Sequence, residues 1–394
     1  MFRAYKYRIY PTNIQEDLIN KHIGSVRFLY NLALETKQIA YAGNRINLSR
    51  YDLQKQLVEL KKEYDWLTEV NSQSLQVALR NLDASYLSFF KGINKFPKYK
   101  SKNRNALSFS IPQNVKLDSS RLIIPKFKEG IKITVHREML GIIKSATISR
   151  TPTGKYFASI LVDTNTETPP KRVITEETTI GIDLGIKTFL VDSNGKSFDN
   201  PKHLRKAQSK LKYISRKYSK NKGKRTKHRL ALLHEKVVNQ RKDFLHKVCS
   251  ELISENQTIA IENLNISGML KSHNLAQSIT DVSWGMFIDI LKYKAEWNGV
   301  NILKIGRFDP SSKTCSVCGT VNKELTLKDR EWNCNNCNSI LDRDINAAIN
   351  IRNFGLKQHL SVGCRLKNQK ELPTLVGVMT SEAKKGNPHN CKGI

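Results

Sequence analysis

Residues 315–350 read CSVCGTVNKELTLKDREWNCNNCNSILDRDINAAIN. Two Cys-x-x-Cys pairs, Cys315/Cys318 and Cys334/Cys337, stand fifteen residues apart, a spacing that lets four thiolates meet at one tetrahedral Zn²⁺. An Asp-Arg-Asp run follows and opens a helix over 345–351, in which Ala347, Ala348, Ile349 and Ile351 are apolar. A zinc ribbon that delivers a carboxylate points to an enzyme acting on nucleic acid, with the ribbon inserted just before its last catalytic element.

The rest of the composition agrees. The 394 residues carry 66 Lys+Arg against 35 Asp+Glu, a formal net charge of +31. Such an excess attracts a polyanion and releases its counterions on binding. A surface charged only for solubility would mix the signs, so nucleic acid is the expected partner rather than a membrane. No run of eighteen apolar residues occurs, and the start, MFRAYKYRIY, has no secretory apolar core. Four of the seven cysteines lie in the two pairs, while Cys249, Cys364 and Cys391 are scattered. This usage predicts a metal site in a reducing cytosol rather than a disulfide framework. Neither a phosphate-binding G-x-x-x-x-G-K-[ST] loop nor an H-E-x-x-H pattern among the nine histidines is found.

Working outward from the cysteines, the periodicity divides the chain. Residues 1–10 alternate, with Tyr5, Tyr7 and Ile9 on one face and Lys6 and Arg8 on the other, which predicts a strand. Residues 11–100 are helical in pattern. The clearest helix is 73–91, with Leu75, Leu79, Leu82, Tyr86, Phe89 and Phe90 as its core stripe. Its other face offers Gln73, Gln76, Arg80, Asn81 and Lys91, which serve either as plain surface or as a face that reads DNA. From 105 to 165 the period returns to two, as in Leu107/Phe109/Ile111, Ile131/Ile133/Val135 and Ala158/Ile160/Val162. This predicts a small barrel or sandwich that also takes the first strand, with the helices inserted. Residues 201–248 carry seventeen Lys+Arg against two acids, Glu235 and Asp243. They are expected to form helices with one packed and one phosphate-contacting face. The pattern also predicts an amphipathic helix over 282–298, with Trp284, Phe287, Ile288, Leu291, Ala295 and Trp297 as core residues.

Three acids occupy similar places. Asp183 lies in the apolar strand TIGIDLG (179–185). Glu262 closes the apolar strand TIAIE (258–262), and Asp344 begins the last helix. A carboxylate among apolar strand residues is costly unless it is paired or holds a metal. Each alone has a structural explanation: a turn for Asp183, an ion pair for Glu262, a helix cap for Asp342 or Asp344. Together, in a basic protein, they suit phosphodiester cleavage. There two Mg²⁺ ions are held by hard oxygen ligands from separate elements.

GIDLG (181–185), IENLN (261–265), SSKTCSVCG, WNCNNC, DRDINAAINI (342–351), the amino-terminal KYRIYPT and the SWGMF…YKAEWNG helix resemble TnpB. TnpB proteins are the OrfB-type proteins of bacterial and archaeal insertion sequences, related to type V CRISPR effectors. The resemblance covers nearly the whole chain except its tail. It implies an α/β multidomain fold. Residues 1–10 and 103–172 would be a wedge β-barrel, with a helical recognition domain (11–102) inserted. Residues 173–311 and 341–356 would be a RuvC-like, RNase H-type nuclease interrupted by a zinc ribbon (312–340). Residues 357–394 would be a disordered tail.

Carried over by motif, Asp183, Glu262 and Asp344 are the catalytic, Mg²⁺-holding acids, two ions being expected. Cys315, Cys318, Cys334 and Cys337 hold one structural Zn²⁺. Two positions depart from the pattern: Leu341, where relatives often carry His, and Asn338, where Gly is common but Asn adopts the same left-handed turn. The implied activity is RNA-guided cleavage of double-stranded DNA beside a short adjacent motif, in a prokaryotic, nucleoid-associated, cytoplasmic protein acting as one monomer per RNA. The implied partners are a guide RNA from the element's end and the target DNA. Gln73, Gln76 and Arg80 are candidates to read the motif, and Lys222, Lys224 and Arg225 to contact nucleic-acid backbone. The alternatives are a guide-dependent DNA binder that does not cut and a transposase or resolvase acting without a guide.

Overall fold

The computed structural model describes residues 1–103, 106–272, 275–326 and 329–370, with side chains described as far as Leu360. The chain forms two compact units, Met1–Pro169 with Lys202–Phe244, and Pro170–Pro201 with the chain from Leu245 onward.

The first unit starts with strand β1 (Phe2–Tyr10), followed by helices α1 (Asn13–Asn44), α2 (Arg50–Glu63) and α3 (Ser72–Phe90). Six strands follow: β2 (Leu107–Ile111), β3 (Lys116–Asp118), β4 (Arg121–Ile124), β5 (Phe127–Thr134), β6 (Ile142–Arg150) and β7 (Tyr156–Asp163). The seven form one antiparallel sheet in the order β2-β6-β7-β1-β5-β4-β3. The first strand therefore sits in the middle of the later ones. Tyr7 and Ile9 of β1 are fully buried, as the alternation requires. Where a closed barrel was one expectation, β2 and β3 stand at the two ends of the hydrogen-bonded order.

Helix α1 serves two cores. Ile19 and Ile23 pack with the sheet, whereas Leu29, Tyr30, Ala33 and Leu34 pack with α2 and α3. Within the sheet-packed half His22 is fully buried, 4.5 Å from the Phe109 ring. Its Nδ1 lies 2.8 Å from Leu18 O, and its Nε2 accepts from the Asn71 N–H at 3.0 Å. Nε2 must be unprotonated to accept, and burial pushes the imidazole down from its ordinary value, so the ring is a neutral link between α1 and the start of α3. Two further helices belong here, α4 (His203–Asn221) and the first part of α5 (Lys224–Glu255). Lys222 at a left-handed turn (φ 44°), Lys224 and Arg225 are exposed at the α4–α5 junction.

In the second unit β8 (Thr179–Leu184), β9 (Thr188–Asp192) and β10 (Ser197–Asp199) form an antiparallel meander. After α5 come β11 (Thr258–Ile261), the short helices α6 (Ile266–Met269) and α7 (Ala276–Val282), α8 (Trp284–Trp297) and β12 (Asn301–Lys304). The sheet order is β10-β9-β8-β11-β12, with β11 parallel to both β8 and β12. The expected helix over 282–298 is broken at its start, because Ser283 takes a left-handed conformation (φ 60°) between α7 and α8. Of its expected stripe, Trp284, Phe287, Leu291 and Ala295 are buried, whereas Ile288 and Trp297 are only half-buried and Ile290 is buried instead.

The small hairpin β13 (Glu331–Asn333) and β14 (Ile340–Asp342) leads into α9 (Arg343–Lys370). This corrects two expectations, a helix ending at 351 and a tail beginning at 357. Gly355 lies over Ala260 and Leu303, and Gln358 donates to Asp309 at 2.8 Å, so helical packing extends past 356. Residues 371–394 of the expected tail lie outside the described residues. At Gly181 of β8 a Cβ atom would sit 2.0 Å from Ala348 O, so only glycine admits this approach of α9 to the sheet.

Candidate carboxylate site and cysteine metal centre

Strand register brings the first two acids together. Ile182 of β8 is the partner of Ile261 on the parallel neighbour β11, so the next residues, Asp183 and Glu262, end adjacent strands on one face. Helix α9 supplies the third. Ala348 meets the sheet at Gly181. One turn back along the helix, about 6 Å, is Asp344, and two residues forward along β8, about 6.6 Å, is Asp183. The electrostatics register the convergence. Burial, then the Glu262 and Asp344 carboxylates, push the Asp183 carboxyl up to about 7, against a weaker opposing pull from Arg343.

Each neighbour is held differently. Glu262 Oε1 accepts a hydrogen bond from the Ser311 hydroxyl at 2.8 Å. Asp344 forms an ion pair with Arg330, whose Nη1 lies 3.3 Å from Oδ2 and 3.4 Å from Oδ1. Asp342 has another task. Its Oδ1 accepts the backbone N–H groups of Asp344 and Ile345, each at 2.9 Å, which makes it the cap of α9. The Asp-Arg-Asp run thus divides into a cap and a carboxylate that faces the other acids.

The four cysteine sulfurs all lie within 4.8 Å of one another. Cys315 and Cys337 are 3.6 Å apart and Cys318 and Cys334 3.5 Å. A tetrahedron of sulfurs 2.3 Å from its centre has edges of about 3.8 Å, so the cluster could hold a metal ion such as zinc. Hydrogen bonding to Thr320 pulls the Cys318 thiol down to about 5, and Ser339 lowers that of Cys337, while burial pushes Cys315 up to about 11. Asn338 has φ 56°, the left-handed turn expected after the last cysteine. Leu341 packs against the local core of Cys315, Leu325, Trp332 and Cys334.

On the first unit, Gln76 and Arg80 are exposed on α3, and with Gln73, Arg50, Gln54 and Gln113 they line a cavity of about 240 Å³. Gln73 is committed in part, since its Nε2 donates to Gln113 Oε1 at 3.1 Å. Sequence reasoning missed Ser311, Arg330, Asn346 and Asn350. The only signal was the position of Ser311 in the SSKTC stretch and two asparagines a turn apart in an apolar helix, where unpaired amides are disfavoured.

Comparison with known proteins gives three family matches. The OrfB_IS605 profile, described as "Probable transposase", matches residues 159–273. "Cas12f1-like, TNB domain" matches 284–351, and "Helix-turn-helix domain" matches 1–45. Residues 1–45 here form β1 and the single helix α1. A Streptomyces pristinaespiralis protein named "Putative RNA-guided DNA endonuclease" is 37% identical over 365 residues, covering 90% of this chain and 89% of its own. InsQ of Escherichia coli K12, given the same description, is 29% identical over 386 residues, 92% of this chain and 94% of its own. The fold is similar to that of Cas12f1 in a cryo-EM complex with sgRNA and target DNA. The TM-score is 0.53 at 14% identity, over 89% of this chain and 98% of that one. By its relationship to these proteins, the chain belongs to the TnpB (OrfB_IS605) family.

Proposed function

We propose that this chain is an RNA-guided DNA endonuclease encoded by a transposable element, cleaving double-stranded DNA beside a short adjacent motif. The observation that carries the reading is Asp183, a carboxyl pushed up to about 7 by burial beside Glu262 and Asp344. Three acids gathered in a chain of net charge +31 are unfavourable as a bare cluster and suit a divalent cation with hard oxygen ligands. The strand order β10-β9-β8-β11-β12, a meander followed by two strands parallel to its first, supports a RuvC-like, RNase H-type nuclease. Asp183, Glu262 and Asp344 would hold Mg²⁺, and two such ions would supply water activation and stabilisation of the leaving oxygen. The half-exposed Arg330 guanidinium offsets the charge of Asp344 across an ion pair of 3.3 Å. Cys315, Cys318, Cys334 and Cys337 hold one structural Zn²⁺ in a ribbon over 312–340.

The partners are a guide RNA from the element's end and the target duplex, with one monomer per RNA. Residues 1–10 and 103–172 act as the wedge, 11–102 as the recognition helices. Lys222, Lys224 and Arg225 contact the phosphate backbone. Gln73, Gln76 and Arg80 face the adjacent motif, where a glutamine amide pairs with adenine in the major groove. No helix among the described residues is long and apolar enough to cross a membrane.

The test is to co-express the protein with its flanking DNA, sequence the RNA that co-purifies, and offer matching duplexes with randomised flanks in Mg²⁺. A discrete RNA ending in flanking sequence, with cutting of matched DNA, is the expected result; Gln76→Ala then shifts the preferred flank. Binding without cutting would make the protein a guide-dependent DNA binder. Bulk RNA alone would leave a transposase or resolvase that needs no guide.

Asp342 and Asp344 should separate in this assay. Asp342→Ala loses the cap of α9 and about 1 kcal/mol of stability but retains cleavage, whereas Asp344→Ala abolishes it. Loss of cutting in a folded Asp342→Ala protein would reverse the assignment.

A further inference from the structure

Helix α9 buries two asparagines, Asn346 at 1% and Asn350 at 3% exposure. A buried amide is unfavourable unless its hydrogen bonds are made, and here they all go to the segment that leads into the first cysteine pair. Asn350 Nδ2 donates to Ser311 O at 2.8 Å and to Thr314 O at 2.6 Å. Asn346 Nδ2 donates to Thr314 O at 2.8 Å, and its Oδ1 accepts from Ser316 N at the same distance. Thr314 Oγ1 closes the turn by donating to Pro310 O at 2.8 Å. Residues 310–316 are thus fixed by the helix that carries Asp344. The side chain this frame presents is Ser311, itself buried, and its hydroxyl donates to Glu262 Oε1.

We propose that Ser311 is a positioning residue for metal binding. It fixes the rotamer of Glu262 by occupying Oε1 and leaves Oε2, which has no hydrogen-bond partner among the described residues, to face the cation. The proposal rests on the reading of Glu262 as a metal-holding carboxylate. Hydrogen-bond partners of metal-ligating groups orient those groups, and their loss typically lowers metal affinity 10–100-fold. The geometry makes two elements interdependent. The α9 amides that seat the first cysteine pair also seat the hydroxyl that aims Glu262, so the carboxylate site and the ribbon are set by one frame. A serine that served only to fold the loop would act through its backbone carbonyl on Asn350, and its hydroxyl would be dispensable.

The experiment compares wild type, Ser311→Ala, Ser311→Thr and Asp183→Asn as full chains. Mn²⁺ serves as the probe, its binding to RNA-free protein read by electron paramagnetic resonance, and zinc content is measured alongside. Cleavage by the guide-bound protein is titrated with Mg²⁺. Ser311→Ala is expected to keep its zinc, weaken Mn²⁺ binding about tenfold or more, and raise the Mg²⁺ concentration for half-maximal cleavage by a similar factor. Its rate at saturating Mg²⁺ should change little. Ser311→Thr, which keeps the hydroxyl, restores both. Unchanged Mn²⁺ affinity in a zinc-loaded Ser311→Ala protein overturns the proposal. A wild-type Mn²⁺ site that Asp183→Asn does not remove would instead overturn the carboxylate reading beneath it. Should Ser311→Ala release zinc, Ser311→Cys keeps the backbone contacts and nearly the volume but offers only a weak donor, and the same comparison decides.

Discussion

Asp183→Asn raises the thermal midpoint of the magnesium-free protein at pH 8 while reducing cleavage on the order of 10³-fold or more. The two effects have one origin. The Asp183 carboxyl is pushed up to about 7 by burial and by two neighbouring carboxylates. Ionising it in the folded protein at pH 8 therefore costs on the order of 4 kcal/mol relative to the unfolded chain. Asparagine has nearly the same shape and no charge to desolvate. The pH dependence fixes the sign. Between about 4, where the carboxyl of the unfolded chain ionises, and about 7, where the folded one does, the native state holds the extra proton. The wild type loses stability as pH rises through that window and levels off above it. The advantage of Asp183→Asn should be small near pH 4, grow to about pH 7, and then stay constant. Saturating Mg²⁺ should close the gap by stabilising the wild type alone. Equal midpoints at pH 8 in chelator would show that the carboxylate is not under this strain. An equal Mg²⁺-induced shift in both proteins would remove Asp183 from the ligand set. On the proposed reading, the strain at Asp183 is a cost of function in an otherwise well-packed sheet, relieved when a cation binds.

How much of this was legible in the sequence depends on how local each signal is. Period-two alternation placed β1 and β7, and a continuous apolar run placed β8, because these patterns reflect the face each strand buries over a few residues. Four cysteines at fixed spacing announced their cluster for the same reason. The seven-stranded order was only half legible: alternation says which face is buried and nothing about which strands lie at the edges. Register was invisible. Asp183 and Glu262 are neighbours because Ile182 pairs with Ile261, a match between strands separated by two further strands and two helices. The α9 boundary was not legible because Lys357, Gln358 and His359 carry no apolar stripe and Leu360 is exposed, yet Gln358 reaches Asp309 and Gly355 packs on Ala260. The need for glycine at 181 has no local signal, because it comes from Ala348 of α9, far along the chain. Asn346 and Asn350 gave no sequence signal of their role, because their partners Ser311 and Thr314 lie some thirty-five residues upstream.

Replacing Cys334 with Ser should empty the zinc site and abolish cleavage while leaving guide-RNA binding in place. Among the described residues the ribbon's own apolar core is small: Cys315, Leu325, Trp332 and Cys334 are its buried cluster, two of them metal-ligand candidates. So small a cluster does not stabilise a fold without a metal or a disulfide. A structural Zn²⁺ contributes an apparent ~10–16 kcal/mol at neutral pH, so the local fold and the metal stand or fall together. The consequence reaches the carboxylates from both arms of the ribbon. Before its first cysteine, Ser311 holds Glu262; before its third, Arg330 pairs with Asp344, and its carbonyl accepts the Arg343 N–H at 2.7 Å. Loosening the ribbon should therefore release two of the three acids at once, a larger loss than Ser311→Ala alone produces. Metal analysis should find one zinc per wild-type chain and none in the variant. Emission from Trp332, buried at 8% exposure, should shift to the red as its packing is lost. A Cys334→Ser protein that keeps its zinc would remove Cys334 from the ligand set. One that loses zinc yet cuts at the wild-type rate would break the link between the ribbon and the carboxylates, leaving the cysteine cluster a stabilising element with no hold on the chemistry.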